Sequence, residues 1–169
     1  MTYFELFEIP MALQVNVSAI KPKFYQLSRQ YHPDFFSQGT NDEQDDALEK
    51  SSLLNKAFKT FSDKDATLKY VLQLKGLLED EEKYKLPPDF LMQMMELNEA
   101  LMDAKMEGDE EAIKHEQLTI NNLEDEIYNN VKSIIENYKD AITTEKELLQ
   151  VKDYYFKKKY LTRILASTK

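Results

Sequence analysis

The chain contains no cysteine, and its 169 residues include only three glycines and five prolines. Without thiols it can form no disulfide and cannot hold a metal cluster through the usual four thiolates. So few turn residues leave little room for hairpins or a many-stranded sheet, and the sequence predicts an all-α fold. No stretch approaches the roughly 20 consecutive apolar residues of a membrane helix, so no membrane association is expected. The amino terminus shows neither a basic region ahead of an apolar run nor an Arg- and Ser-rich presequence, and the expected location is a bacterial cytoplasm. Basic residues are the scarcer sign, 22 against 31 acidic ones, for a net charge of −9. Residues 1–76 are nearly balanced with nine against ten, leaving thirteen against twenty-one in the remainder. A surface this acidic repels phosphate backbones and excludes nucleic acid as the expected partner.

What the sequence does contain is a helix that stops at an imidazole beside a carboxylate. Phe24, Leu27, Ser28 and Tyr31 recur at helical spacing, and His32-Pro33-Asp34 follows. Pro33 lacks an amide hydrogen and biases His32 away from the helical region, so the backbone turns there into a polar loop and displays its side chains. Asn16 or Ser18 can cap this helix. Lys21, Tyr25 and Arg29 form a file at i, i+4 spacing on another side, readable either as a solvated face or as half of a docking face. After Gly39 and Asn41, a further helix sets Ala47, Ser51, Leu54, Phe58 and Phe61 in one apolar stripe suited to antiparallel packing on the first. Such a pair would hold the tripeptide at a fixed tip.

The segment from Gly76 to Asp89 mixes acidic residues with Pro87-Pro88 and reads as a boundary, giving regions 1–76 and 89–169 joined by a linker at 77–88. The second region is expected to be an antiparallel three-helix bundle. Its first helix runs from about Asp89 to Glu107 and stops at Gly108. A single long helix follows from Asp109 to about Ile142, with Ile113, Ile120, Leu123, Ile127, Val131, Ile134, Tyr138 and Ile142 inward. A capping box at Thr144–Glu147 starts the last helix, which reaches Leu165. At about 100° per residue, Phe90, Met94, Leu97, Leu101 and Ala104 share one arc of the first helix. Leu91, Met92, Met95 and Met102 share another with Glu99. On the last helix Leu149, Phe156 and Tyr160 likewise stand apart from the inward arc. One neighbour cannot cover both arcs, so the second is either buried against the first region or a second copy of the chain, or is an adaptable binding surface.

No catalytic arrangement emerges. His32 and His115 are far apart in sequence, and His115 lies among charged neighbours as a surface residue. His32 and Asp34 alone do not make a metal site, and no cofactor is implied. Asp42, Glu43, Asp45 and Asp46 sit where a helix start favours negative charge.

Tyr3-Phe4-Glu5-Leu6-Phe7-Glu8-Ile9-Pro10, the Tyr31-His32-Pro33-Asp34 turn, Leu54-Asn55-Lys56-Ala57-Phe58 and the Leu72-Gln73-Leu74-Lys75-Gly76 close together resemble the J domain of Hsp70 co-chaperones, and more specifically the HscB type that serves iron-sulfur cluster assembly. A weaker resemblance continues through Phe90-Leu91-Met92 to the end. It implies that His32, Pro33 and Asp34, flanked by Lys21, Tyr25 and Arg29, meet the Hsp70 ATPase domain, with Asp34 pairing to a buried arginine. It implies also that Leu91, Met92, Met95, Glu96, Glu99 and Phe156 bind the iron-sulfur scaffold protein. General J domains carry a strongly basic second helix, whereas only Lys21, Lys23 and Arg29 are found here, which points to a specialised Hsp70. The proline usual after the aspartate at the J-domain end is missing, Ser62-Asp63 being followed by Lys64-Asp65. Delivery of a different client to a general Hsp70, a purely structural helical adaptor and a homo-oligomer remain alternatives at the level of sequence.

Overall fold

The computed structural model describes residues 1–168, and its regular structure among these is helical throughout. In chain order α1 is Tyr3–Phe7, α2 Val17–Gln30, α3 Asn41–Phe61, α4 Lys64–Leu74, α5 Pro88–Glu107, α6 Glu110–Asn129, α7 Lys132–Glu136 and α8 Glu145–Ala166, with one 3-10 turn at Pro33–Phe36. Two compact units divide the chain. The first is Met1–Val71 with Tyr138–Asp140; the second is Leu72–Asn137 with the residues from Ala141 onward.

In the first unit, Asn16 caps α2 by accepting the Ser18 N–H at 3.1 Å. Thr40, rather than a residue on either side of it, caps α3 through the Glu43 N–H. Phe24 of α2 stacks on Phe58 of α3 with ring centroids 4.1 Å apart. Further along α2, the Tyr31 ring lies beneath Lys50 Nζ at 5.2 Å. Later residues of α2 thus meet earlier residues of α3, and the two helices run antiparallel. At the far end Phe4 and Phe7 of α1 pack on Phe61, all three rings buried. Leu54 in the middle is also enclosed, and truncating a side chain so placed typically costs about 2–5 kcal/mol. The missing proline after Asp63 leaves no gap: Asp63 Oδ1 accepts the Asp65 and Ala66 N–H groups at 2.9 and 3.0 Å and so starts α4.

The second unit packs α5, α6 and α8 together around Met94, Leu101, Ile120, Val151 and Leu161. Gly108 ends α5 with φ 65°, a left-handed conformation that a side chain would strain, and Asp109 then caps α6 by accepting the Ala112 N–H. The capping box at Thr144 and Glu147 is fully formed at the start of α8.

The long helix expected from Asp109 to Ile142 is broken. α6 ends at Asn129, Val131 takes φ −120° and ψ 0°, and only the short α7 follows. The Val131 N–H bonds the Tyr128 carbonyl at 2.9 Å, an i→i−3 bond that tightens the last turn and ends the ladder, whereas the earlier pair Asn121-Asn122 stays helical within α6. The break shifts the helical register, so Ile135 rather than Ile134 is buried and Ile142 is exposed. Nor does the stretch 77–88 hang free. It belongs to the second unit, where Leu78 is buried and Tyr84 lies on α8.

Candidate protein-interaction surfaces

The first surface is built by the end of α2 and the turn after it. The Tyr31 N–H closes α2 on the Leu27 carbonyl at 3.0 Å. His32 then starts the 3-10 turn, its Nδ1 accepting the Asp34 N–H at 3.2 Å. That bond requires an unprotonated Nδ1, which also stands 3.6 Å from Asp34 Oδ2. The turn is tied down further along. Phe35 N–H donates to the His32 carbonyl, Ser37 Oγ to the Asp34 carbonyl, and Gly39 N–H to the Phe36 carbonyl. Gln44 of α3 reaches back with its side-chain amide to the carbonyls of Ser37 and Gly39, each at 3.2 Å. A β-carbon on Gly39 would come within 3.2 Å of the Phe36 carbonyl oxygen and 2.6 Å of the Glu43 carboxylate, so a side chain there would have to push the Glu43 side chain aside and shift the turn slightly.

On this support the Asp34 side chain is 90% exposed. Lys21, Tyr25 and Arg29 are exposed along α2, as the i, i+4 file predicts, whereas Lys23 is held by Glu8 at 2.9 Å and the lysine pulls the Glu8 carboxyl below its usual range. Arg29 borders a shallow depression of about 450 Å³ with Gln26, Gln30 and Phe35. Phe35 is 73% exposed and is absent from the sequence-based site. An aromatic ring following a helix stop reads as core, and its exposure is decided by the 3-10 turn.

The second surface lies on α5 and α8. Met94 is 0% exposed, while Met92 and Met95 are 62% and 68% exposed, so the two arcs of α5 separate as their spacing predicts. Glu96 and Glu99 are exposed on the same side of the helix as these methionines, and Leu91 stands at the margin. Phe156 is only half-buried, but it is not solitary. Its ring stacks on Tyr84, centroids 4.5 Å apart and 10° from parallel. Phe156 and Leu91 line one groove of about 380 Å³, and Met92, Met95, Glu96 and Glu99 lie outside it on the open face of α5.

Tyr84 belongs to an extended strap, 82–86, whose alternate residues Glu82, Tyr84 and Leu86 are half-buried while Lys83 and Lys85 are exposed. The strap is fastened to α8 at two polar points. Glu82 pairs with Lys152 at 2.7 Å, and the Tyr84 hydroxyl donates to Asp153 Oδ1 at 2.8 Å. The bond from Lys152 lowers the Glu82 pKa. Burial, followed by the neighbouring Asp153, pushes the Tyr84 phenol up to about 12. His115 is exposed, and no group of His, Cys, Asp and Glu among the described residues is arranged to hold a metal ion. No described helix is long and apolar enough to cross a membrane.

Comparison with known proteins matches both regions. Residues 2–70 fit the DnaJ domain model, and residues 86–169 fit the model described as the HSCB C-terminal oligomerisation domain. The chain is 31% identical over 154 residues to the human iron-sulfur cluster co-chaperone protein HscB, an alignment covering 90% of this chain and 63% of that protein. It is 38% identical over 104 residues to a co-chaperone protein HscB homolog of Acinetobacter baumannii, covering 62% of this chain and 58% of the relative. The chain therefore spans less than two thirds of the length of these curated relatives. The crystal structure of human co-chaperone protein HscB superposes with a TM-score of 0.80 at 29% identity, covering 99% of this chain and 80% of that one.

Proposed function

The chain belongs to the HscB-type J-domain co-chaperones, and from that premise we propose that it stimulates the ATPase of an Hsp70 and brings it an iron-sulfur cluster scaffold protein. In this reading it is not itself an enzyme. Residues 1–76 form the J domain, 77–88 connect, and 89–169 bind the scaffold. His32, Pro33 and Asp34 engage the Hsp70, with Lys21, Tyr25 and Arg29 alongside. The observation that carries this is the Asp34 carboxylate, exposed to 90% on a turn hydrogen-bonded to itself and to α3. A short anion held so rigidly suits a charge-assisted bond to a guanidinium, since little freedom is lost when the bond forms. The small number of cations on α2 favours a specialised Hsp70 over a general one.

Leu91, Met92, Met95, Glu96, Glu99 and Phe156 take the scaffold. Methionine side chains adapt to the shape of a partner, and the two glutamates give that face a sign. Holding both partners on one chain raises their effective concentration toward each other.

Single-turnover ATP hydrolysis by the Hsp70, with and without scaffold, tests both halves. Asp34→Asn keeps the side chain's size and removes its charge; it should abolish stimulation at unchanged helicity and unchanged scaffold affinity. Met92→Ala combined with Met95→Ala should keep stimulation in the absence of scaffold while weakening scaffold binding by about 2 kcal/mol or more. Wild-type stimulation by Asp34→Asn would remove the role given to the carboxylate. Equal binding of scaffold and of unfolded polypeptide would favour a different client.

A further inference from the structure

The groove between the strap and α8 carries a charge opposite to that of the molecule around it. Its floor is apolar and aromatic, formed by Leu91, Phe156 and Tyr160. Its rim carries Lys83 and Lys85 from the strap and Lys159 and Arg163 from α8. Lys83, Lys85, Lys159 and Arg163 are all exposed, and none has an ion pair among the described residues. Elsewhere Lys23, Lys50, Lys152 and Lys157 each sit within 3.1 Å of a carboxylate. Glu82, the acidic residue lining the groove, is already neutralised by Lys152. A chain with 31 acidic residues thus gathers four cations around an aromatic hollow and leaves them without counter-ions. Like charges placed together repel, and an anion seated among them would relieve that repulsion.

We infer that this groove is the subsite for an acidic, apolar segment of the scaffold protein: aspartate or glutamate side chains toward Lys159, Arg163 and the strap lysines, with an aliphatic or aromatic side chain on Phe156. The inference rests on the scaffold-docking reading of α5 and supplies its missing half. Leu91 joins the two, since it lines the groove and begins the open face of α5. Glu96 and Glu99 on that face call for a basic residue of the partner, and the groove calls for acidic ones. The partner's contact segment is therefore charge-polarised, which fixes the direction in which it lies. With about 380 Å³, the groove has room for side chains rather than for a folded element.

The test titrates the scaffold protein of the same cell into the wild type, the Lys159→Glu/Arg163→Glu pair, the Lys159→Gln/Arg163→Gln pair and the Met92→Ala/Met95→Ala pair, at low and high salt. Arg163 lies in the last turn of α8, where a cation favours the helix end, so the neutral pair and thermal unfolding of each variant separate binding from folding. Charge reversal should weaken binding about tenfold or more, and neutralisation by less, with a shallower salt dependence in both. Zero-length carbodiimide coupling should join Lys83, Lys85 or Lys159 to aspartate or glutamate of the scaffold. If the methionine pair weakens binding while the reversed pair stays within twofold of wild type and the couplings fall elsewhere, the subsite is overturned and the scaffold reading stands. No binding by the wild type overturns both.

Discussion

His32 commits its Nδ1 lone pair to the Asp34 amide, which leaves Nε2 as the ring nitrogen open to a partner. The imidazole therefore shapes the turn as well as belonging to the proposed contact. The tripeptide is legible in the sequence because proline after a helical run forces a turn, and a turn exposes what it carries. Phe35 is not legible in the same way, since an aromatic residue carries no local mark of its exposure. Its ring shares the depression with Arg29, and exposed aromatic and arginine side chains are the types that dominate interface energies. Phe35→Ala should reduce Hsp70 stimulation severalfold. Its effect on unfolding free energy should stay within about 0.5 kcal/mol, because so exposed a ring contributes little to the core. Denaturant unfolding beside the ATPase assay checks both; a large loss of stability with normal stimulation would return Phe35 to the fold.

Among the elements, capping signals carried the most information. Asn16, Thr144 with Glu147, and Gly108 mark real helix ends because each supplies a backbone bond or conformation that the helix cannot supply itself. The break after Asn129 escaped because the apolar spacing runs on past it, and periodicity does not register a single residue that leaves the helical conformation. The strap escaped for a related reason: its lysines, prolines and acids read as linker, and only the alternation of Glu82, Tyr84 and Leu86 hints at an attached extended segment. Its attachment is pH-sensitive. Tyr84 titrates near 10 in an unfolded chain and is raised to about 12 in the fold, so the bound form favours the neutral phenol. The stabilisation is complete below pH 10 and is lost as pH rises from about 10 to about 12. Alkaline titration followed by tyrosinate absorbance should show a late phase to which Tyr70, also raised by burial, contributes, and Tyr84→Phe should lower its amplitude by one tyrosine and shrink the loss of stability over that range.

At the scale of the whole molecule, the helical class follows from composition and the exposure of the two proposed surfaces from helical spacing, whereas the exact partition of the chain does not. Compactness assigns Tyr138–Asp140 to the first unit and the end of α4, from Leu72, to the second. A boundary set by long-range packing cannot be read from proline content. The first unit nonetheless has its own aromatic core, and a fragment of residues 1–76 should be helical by circular dichroism and stimulate the Hsp70 weakly, without the added effect of scaffold. An unfolded fragment would mean that the two units depend on one core. The methionine face of α5 brings a chemical liability of its own. Peroxide transfers one oxygen atom to a thioether sulfur and leaves as water, turning an apolar contact into a polar sulfoxide. Met92, Met95, Met102 and Met106 are exposed and Met94 is sealed, so mass spectrometry of the folded protein under mild peroxide should find the first four oxidised well before Met94. Scaffold affinity should fall in step with sulfoxide at Met92 and Met95 and return on treatment with methionine sulfoxide reductases. A chain without a single thiol would in this way still feel oxidative stress, through the surface proposed to hold its client.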